Sequence, residues 1–238
     1  MFSIYDTKEL KMPDGSLIDY ELIKKYRRTL TIKITPKGLI VNAPILMSNH
    51  KINLLLEKKS KWIQKKLLLT THKEEPFDIR TGEKFKIFDK EIFITLKQGV
   101  NNISIEDDRC ILSFKNLSEQ QKIKKFFLSW IKKYALKYFS QRVKNLCIKN
   151  NLKVQAILLS NAKTRWGTCN SKKEIRLNWR LIQSPQYVID YVICHELSHL
   201  KFMNHSNNFW QQVQLLFPNY KEAELYLKEN GFKLYRID

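Results

Sequence analysis

Long apolar runs are missing from this 238-residue chain. Nothing in it approaches the roughly 18 consecutive apolar residues that cross a bilayer, and the nearest candidate, Leu54–Leu69, is broken by lysine and glutamate. Met1–Leu10 has no basic segment followed by an apolar one, so no secretory signal is expected. Cysteine is scarce: Cys110, Cys147, Cys169 and Cys194 form no CxxC pair. That argues against a cysteine zinc finger and a disulfide framework, and for four reduced, mostly buried thiols. Repeats and low-complexity tracts are not detected, which removes solenoids and disordered tails. What remains, at 43% apolar and 28% charged residues, is an ordinary globular chain. A soluble, cytoplasmic setting is its default.

Acid is thinnest in one region. Residues 119–180 hold 16 Lys and Arg against only Glu119 and Glu174, within a chain whose formal charge is +20. Such a field attracts polyanions, and nonspecific nucleic acid is the partner it would hold. The plainer reading is a solvated basic face in a lysine-rich chain.

Pattern divides the chain in two. Residues 1–116 read as a β-rich domain with one helix. Arg28–Ile34 alternates, Thr35–Gly38 is turn chemistry and Leu39–Ala43 resumes an extended run, which predicts a hairpin. Ser48 caps a helix reaching about Leu69. After a polar linker at Thr71–Pro76, four short strands (Phe85–Phe88, Glu91–Leu96, Ile103–Ile105, Cys110–Phe114) suggest a meander. Residues 117–238 form the second domain. Ser118 and Gln121 match a capping box, followed by a helix to about Lys149 with Ile123, Phe127, Trp130, Tyr134, Tyr138 and Val143 on one side. Strands follow at Val154–Leu159, Arg165–Cys169 and Ile175–Arg180. Ser184-Pro185 starts an apolar helix to about Phe202. Ser206 and Asn219 cap two more helices, the last stopped by Gly231. The fold class is therefore α+β.

The apolar helix carries His195-Glu196-Leu197-Ser198-His199. Histidines four apart stack one turn above each other, so both imidazoles can meet one ion about 2 Å away. Glu196 is turned about 100° from His195; it reaches a water on that ion rather than the ion itself. The motif arises by chance in roughly one such chain in 200. A buried apolar helix is also a poor place for these groups without a metal to offset their desolvation. A catalytic zinc needs a third protein ligand and an open fourth position. His205 is the expected third ligand, with Glu222 and Glu224 as its rivals.

Around this motif lie Arg165-Trp166-Gly167-Thr168-Cys169, Ile175–Leu181, Cys194–Leu200, Asn204-His205-Ser206 and Phe209-Trp210. These segments resemble the YgjP-like metallopeptidase family, which is similar in turn to the SprT-like zinc proteases. The resemblance is close in the C-terminal half and looser before it, through Tyr26-Arg27-Arg28 and Pro44. Thr168 and Asn170 depart from the serine expected in many relatives. The resemblance implies a zincin-like C-terminal domain and a His195, His199, His205 site for one zinc per chain.

The expected chemistry is peptide hydrolysis by a zinc-activated water, with Glu196 as general base. Arg165, Trp166, Asn178 and Tyr220 are candidates for substrate contact or oxyanion support, and the 165–180 hairpin could pair with an extended peptide. Plain core packing is the alternative for Trp166 and Trp179. Two other functions stay open: a nucleic-acid-associated protease of SprT-like type using the basic segment, and a non-enzymatic protein with structural zinc. Glu196 speaks against the last, since a structural site has no use for a base.

Overall fold

The computed structural model describes residues 4–12, 14–35, 38–71 and 77–237, in two compact units, Met1–Glu75 and Pro76–Asp238. The middle of the expected turn at 36–37 and the linker residues 72–76 lie outside the described residues. The domain boundary read at 116/117 falls inside the second unit. The reason is packing: strands 84–114 and the helix that follows share one apolar core, in which Phe127 meets Phe85 at 5.0 Å and Phe77 at 5.6 Å.

The first unit has a four-stranded sheet. β1 (Ile4–Lys11) and β2 (Leu17–Lys25) pair antiparallel, as do β3 (Thr31–Thr35) and β4 (Gly38–Pro44). The predicted hairpin is thus present. β2 and β4 run parallel, giving the order β1-β2-β4-β3. Alternation along β4 sends Leu39, Val41 and Ala43 inward against Ile52, Leu56 and Ile63. Ser48 caps α1 (Asn49–Glu57), its hydroxyl accepting from the Lys51 N–H at 3.3 Å. The single helix read to Leu69 is in fact two, because the chain turns at Lys58-Lys59. The Ser60 hydroxyl donates back to the Glu57 carbonyl at 2.6 Å, and α2 (Ser60–Thr71) starts afresh.

The second unit opens with β5 (Lys84–Ile87), β6 (Lys90–Gln98), β7 (Asn102–Glu106) and β8 (Arg109–Phe114), ordered β5-β6-β8-β7. This corrects the meander. β8 carries the fully buried Cys110 and Leu112 and takes the interior place beside β6, in parallel. The more exposed β7 is left at the edge. The strand order repeats that of the first unit, a repetition invisible in the residues.

α3 (Gln120–Lys149) ends where predicted but begins without a capping box. The Asn116 carboxamide takes the Ser118 N–H at 3.0 Å, and Glu119 occupies the cap position without capping the backbone, its carboxylate pairing with Lys122 at 2.7 Å. Its fully buried residues are Ile123, Phe127, Ile131, Ala135, Phe139 and Val143, spaced by four. On a helix of 3.6 residues per turn that stripe swings about 40° every four residues. The early turns therefore face the β5–β8 sheet. The later ones face α4 (Gln186–Ser198), to which Arg142 is clamped by two 2.6 Å bonds to Asp190. Trp130, Tyr134 and Tyr138 flank this stripe, half-buried.

A three-stranded sheet follows, ordered β10-β11-β9, from β9 (Ala156–Ser160), β10 (Gly167–Cys169) and β11 (Glu174–Asn178). β10 is antiparallel to β11 and forms an edge. A 3₁₀ turn, Trp179–Gln183, leads into α4. α4 stops at Ser198, short of Phe202, with His199 as its C-cap. The Ser198 hydroxyl donates to the Cys194 carbonyl at 2.8 Å. α5 (Asn207–Leu216) and α6 (Tyr220–Asn230) begin after Ser206 and Asn219, neither of which makes a side-chain cap bond. Gly231 does not stop the chain in a left-handed turn, because a 3₁₀ segment continues through it. Its lack of a side chain instead makes room for Trp166, whose Cζ2 would lie 2.8 Å from a β-carbon there. Among the described residues no helix is long and apolar enough to cross a membrane.

Candidate active site

Ending α4 at Ser198 places His199 on the last turn and lets the chain bend back at once. The bend carries His205 over His195: their Nε2 atoms are 3.2 Å apart. Ring centroids in the trio are 4.9–5.2 Å from one another. One ligand nitrogen from each lies within 4.8 Å of the other two. Bonds of about 2.0–2.1 Å in a tetrahedral site put neighbouring nitrogens about 3.3 Å apart, close to the separation seen.

The donor chemistry fits a divalent metal. Burial, then the neighbouring imidazoles, push His195 down to about 4. Burial also lowers His199. Both are therefore neutral near pH 7, as ligation requires. His199 Nδ1 faces the Phe202 carbonyl at 3.0 Å, which fixes the ring and leaves Nε2 for the ion. His195 Nδ1 is buried with no hydrogen-bond partner among the described residues. An ion at its Nε2 would offset the desolvation of the ring as a whole.

Glu196 is 4% exposed. Burial pushes its carboxyl up to about 8. It lies against β10 at Gly167, where any β-carbon would overlap its side chain. Glycine here is a matter of space: it lets the sheet edge pass directly over the carboxylate. That role was not read from the sequence, though the Trp-Gly-Thr run held the signal.

The histidines and Glu196 open onto a cleft of about 570 Å³. Arg165, Trp166 and Gly167–Cys169 line it from the strand side; Tyr191, Val192, Glu224 and Leu227 line it from α4 and α6. Of the predicted contact residues, Arg165 and Trp166 thus face the cleft. Asn178 does not: it is fully buried, and its carboxamide donates to the Ala162 carbonyl at 2.7 Å and accepts from the Arg180 N–H at 3.2 Å. Tyr220 does not line the cleft either. It stacks between Tyr191 and Trp210, at 6.5 and 5.4 Å. Trp179 is core, 2% exposed, its indole N–H bonded to Asn161. Of the rival ligands, Glu224 lines the cleft outside the histidine cluster, and Glu222 lies on another surface beside Pro218.

Among curated proteins no sequence matches. Solved structures that resemble part of the chain include two metallopeptidase zymogens. One is the metallopeptidase zymogen of Methanocaldococcus jannaschii jannalysin, 23% identical over 39% of this chain and 95% of that one, with a TM-score of 0.34. The other is the metallopeptidase zymogen of Pyrococcus abyssi abylysin, 20% identical over 38% and 93%, also at 0.34. Likeness at that level is too distant to assign roles. The YgjP-like metallopeptidase domain matches residues 28–230, which take in every residue of the cleft, and the chain belongs to that family.

Proposed function

We propose that this metallopeptidase is a zinc enzyme, with the ion held by His195, His199 and His205 and Glu196 as general base. The observation that carries the reading is the buried Glu196 carboxyl beside three converging imidazoles on an open cleft. When bound, zinc polarises the scissile carbonyl and acidifies a water. Glu196 takes that water's proton and returns it to the leaving amine. A divalent charge nearby would draw its carboxyl back towards the ionised form. The β10 edge offers unpaired backbone groups to an extended substrate strand. Tight packing of Gly167 on Glu196 keeps that strand over the base. The test is cleavage of a peptide library by zinc-loaded protein beside Glu196→Gln. The variant should bind zinc normally and lose at least about 10²-fold in rate. Equal rates would reject the mechanism. His205→Ala should lose zinc affinity; retention there with loss in Glu224→Ala would reassign the third ligand.

A second reading, nucleic-acid association, is favoured by α3. The helix contains no acid, and Lys125, Lys133, Lys137 and Lys144 are exposed with no ion-pair partner among the described residues. Some other cations of the basic segment are engaged. Arg142 holds Asp190, Arg180 is buried, and Lys132 lies 5.3 Å over the Trp179 ring. Duplex DNA should therefore bind without sequence preference and weaken steeply between about 50 and 200 mM salt. Charge reversal at Lys125, Lys133 and Lys137 should abolish it. No binding at low salt would remove this reading.

A further inference from the structure

Two acids line the cleft, and the proposed mechanism uses one. The other, Glu224, stands on α6 at the exposed rim. In a chain with 43 basic residues and 23 acids, acids of this unit commonly have a cation beside them. Glu83 has Arg236 and Arg80, Glu91 has Lys84, Asp89 has Lys86, and Asp190 has Arg142. No lysine or arginine pairs with Glu224 among the described residues. Its neighbour in the cleft is a phenol instead. Tyr191 lies close enough for the Glu224 charge to act on its hydroxyl, and it sits one turn before His195, ring against ring at 6.0 Å. Tyr191 is itself 5% exposed. Beside it the wall is apolar: Trp166, Val192 and Leu227.

An apolar wall beside a carboxylate that no lysine or arginine pairs among the described residues complements a side chain with an aliphatic stem and a cationic tip. We propose that Glu224 is the specificity-determining residue of the cleft, selecting substrates that lay a lysine or arginine side chain along this wall. The proposal rests on the peptidase reading for its substrate class and concerns recognition, not bond cleavage. A free amino terminus carries the same charge but no stem to bury against Trp166 and Leu227, so it is the weaker ligand.

Recognition can be measured apart from turnover. Zinc-loaded Glu196→Gln protein is titrated, by fluorescence anisotropy, with N-acetylated peptides differing at one position: lysine, arginine, norleucine or glutamate. The lysine and arginine peptides should bind about twofold to fivefold tighter than the norleucine one, as one exposed ion pair contributes. Adding Glu224→Gln should bring that ratio near one, and Glu224→Lys should shift the preference to glutamate. Cleavage of the same peptides by the wild type, mapped by mass spectrometry, is the second arm. A binding preference without any cleavage would sink the peptidase reading and leave this one standing. Equal or absent binding of lysine and norleucine peptides overturns the proposal. So does a preference that survives Glu224→Gln, or one that follows removal of the acetyl group instead of the lysine.

Discussion

Gly167 packs against the Glu196 side chain with no room for a β-carbon between them. Gly167→Ala should push the carboxyl away from its position rather than unfold the chain, because the obstructed atoms belong to one side chain. The expected result is a fall in kcat with little change in melting temperature; a variant of full activity would show the close approach to be irrelevant. The thiols make a contrasting case. Burial pushes Cys110 and Cys194 up to about 12 and Cys169 up to about 11. Since the thiolate is the nucleophile, native protein at pH 7–8 should react with iodoacetamide far more slowly than urea-unfolded protein. A folded pKa raised above the ordinary 9 also means stability present below pH 9 and lost as pH climbs towards 11–12. Rapid native labelling of Cys194 would contradict the burial. At this scale the sequence was readable where spacing alone decides geometry, as for His195 and His199. Asn178 and Tyr220 misled because polarity in a motif does not say whether a side chain faces a cleft or braces the loop beside it.

Among elements, α3 shows where pattern reading breaks down. A 3.6-residue rule follows Trp130, Tyr134 and Tyr138; the true buried stripe passes through Ile131, Ala135 and Phe139, because the helix changes partners along its length. Phe139→Ala should cost about 3–5 kcal/mol as a buried aromatic truncation, whereas Ser129→Ala, on the exposed side, should shift stability by less than about 0.5 kcal/mol. Urea melts of both variants would check this, and equal effects would mean the swinging stripe is wrong. Strand content in 84–114 was legible, yet its order was not. Alternation reveals which face is buried but not which neighbour a strand takes, so the parallel pairing of β6 with β8 had no signature. The break at Lys58-Lys59 was hidden likewise, since the apolar spacing runs through it.

At the scale of the molecule, α3 is one rigid member serving two sites of packing: Phe127 is embedded in the β5–β8 sheet, and Arg142 grips the helix that bears His195. Neither end can loosen without withdrawing support from the other. Metal occupancy at the histidines should accordingly be felt throughout residues 77–237, as linkage between ligand binding and folding. At 100 times its dissociation constant, zinc would add about 2.7 kcal/mol, or about 5–10 °C in melting temperature. Hydrogen exchange should slow in β6 and β8 as well as in the 199–206 bend. Protection confined to the bend would mean that α3 does not couple the two. If it does, a chelator weakens a sheet it never touches, and the supply of metal helps decide how long that distant sheet stays folded.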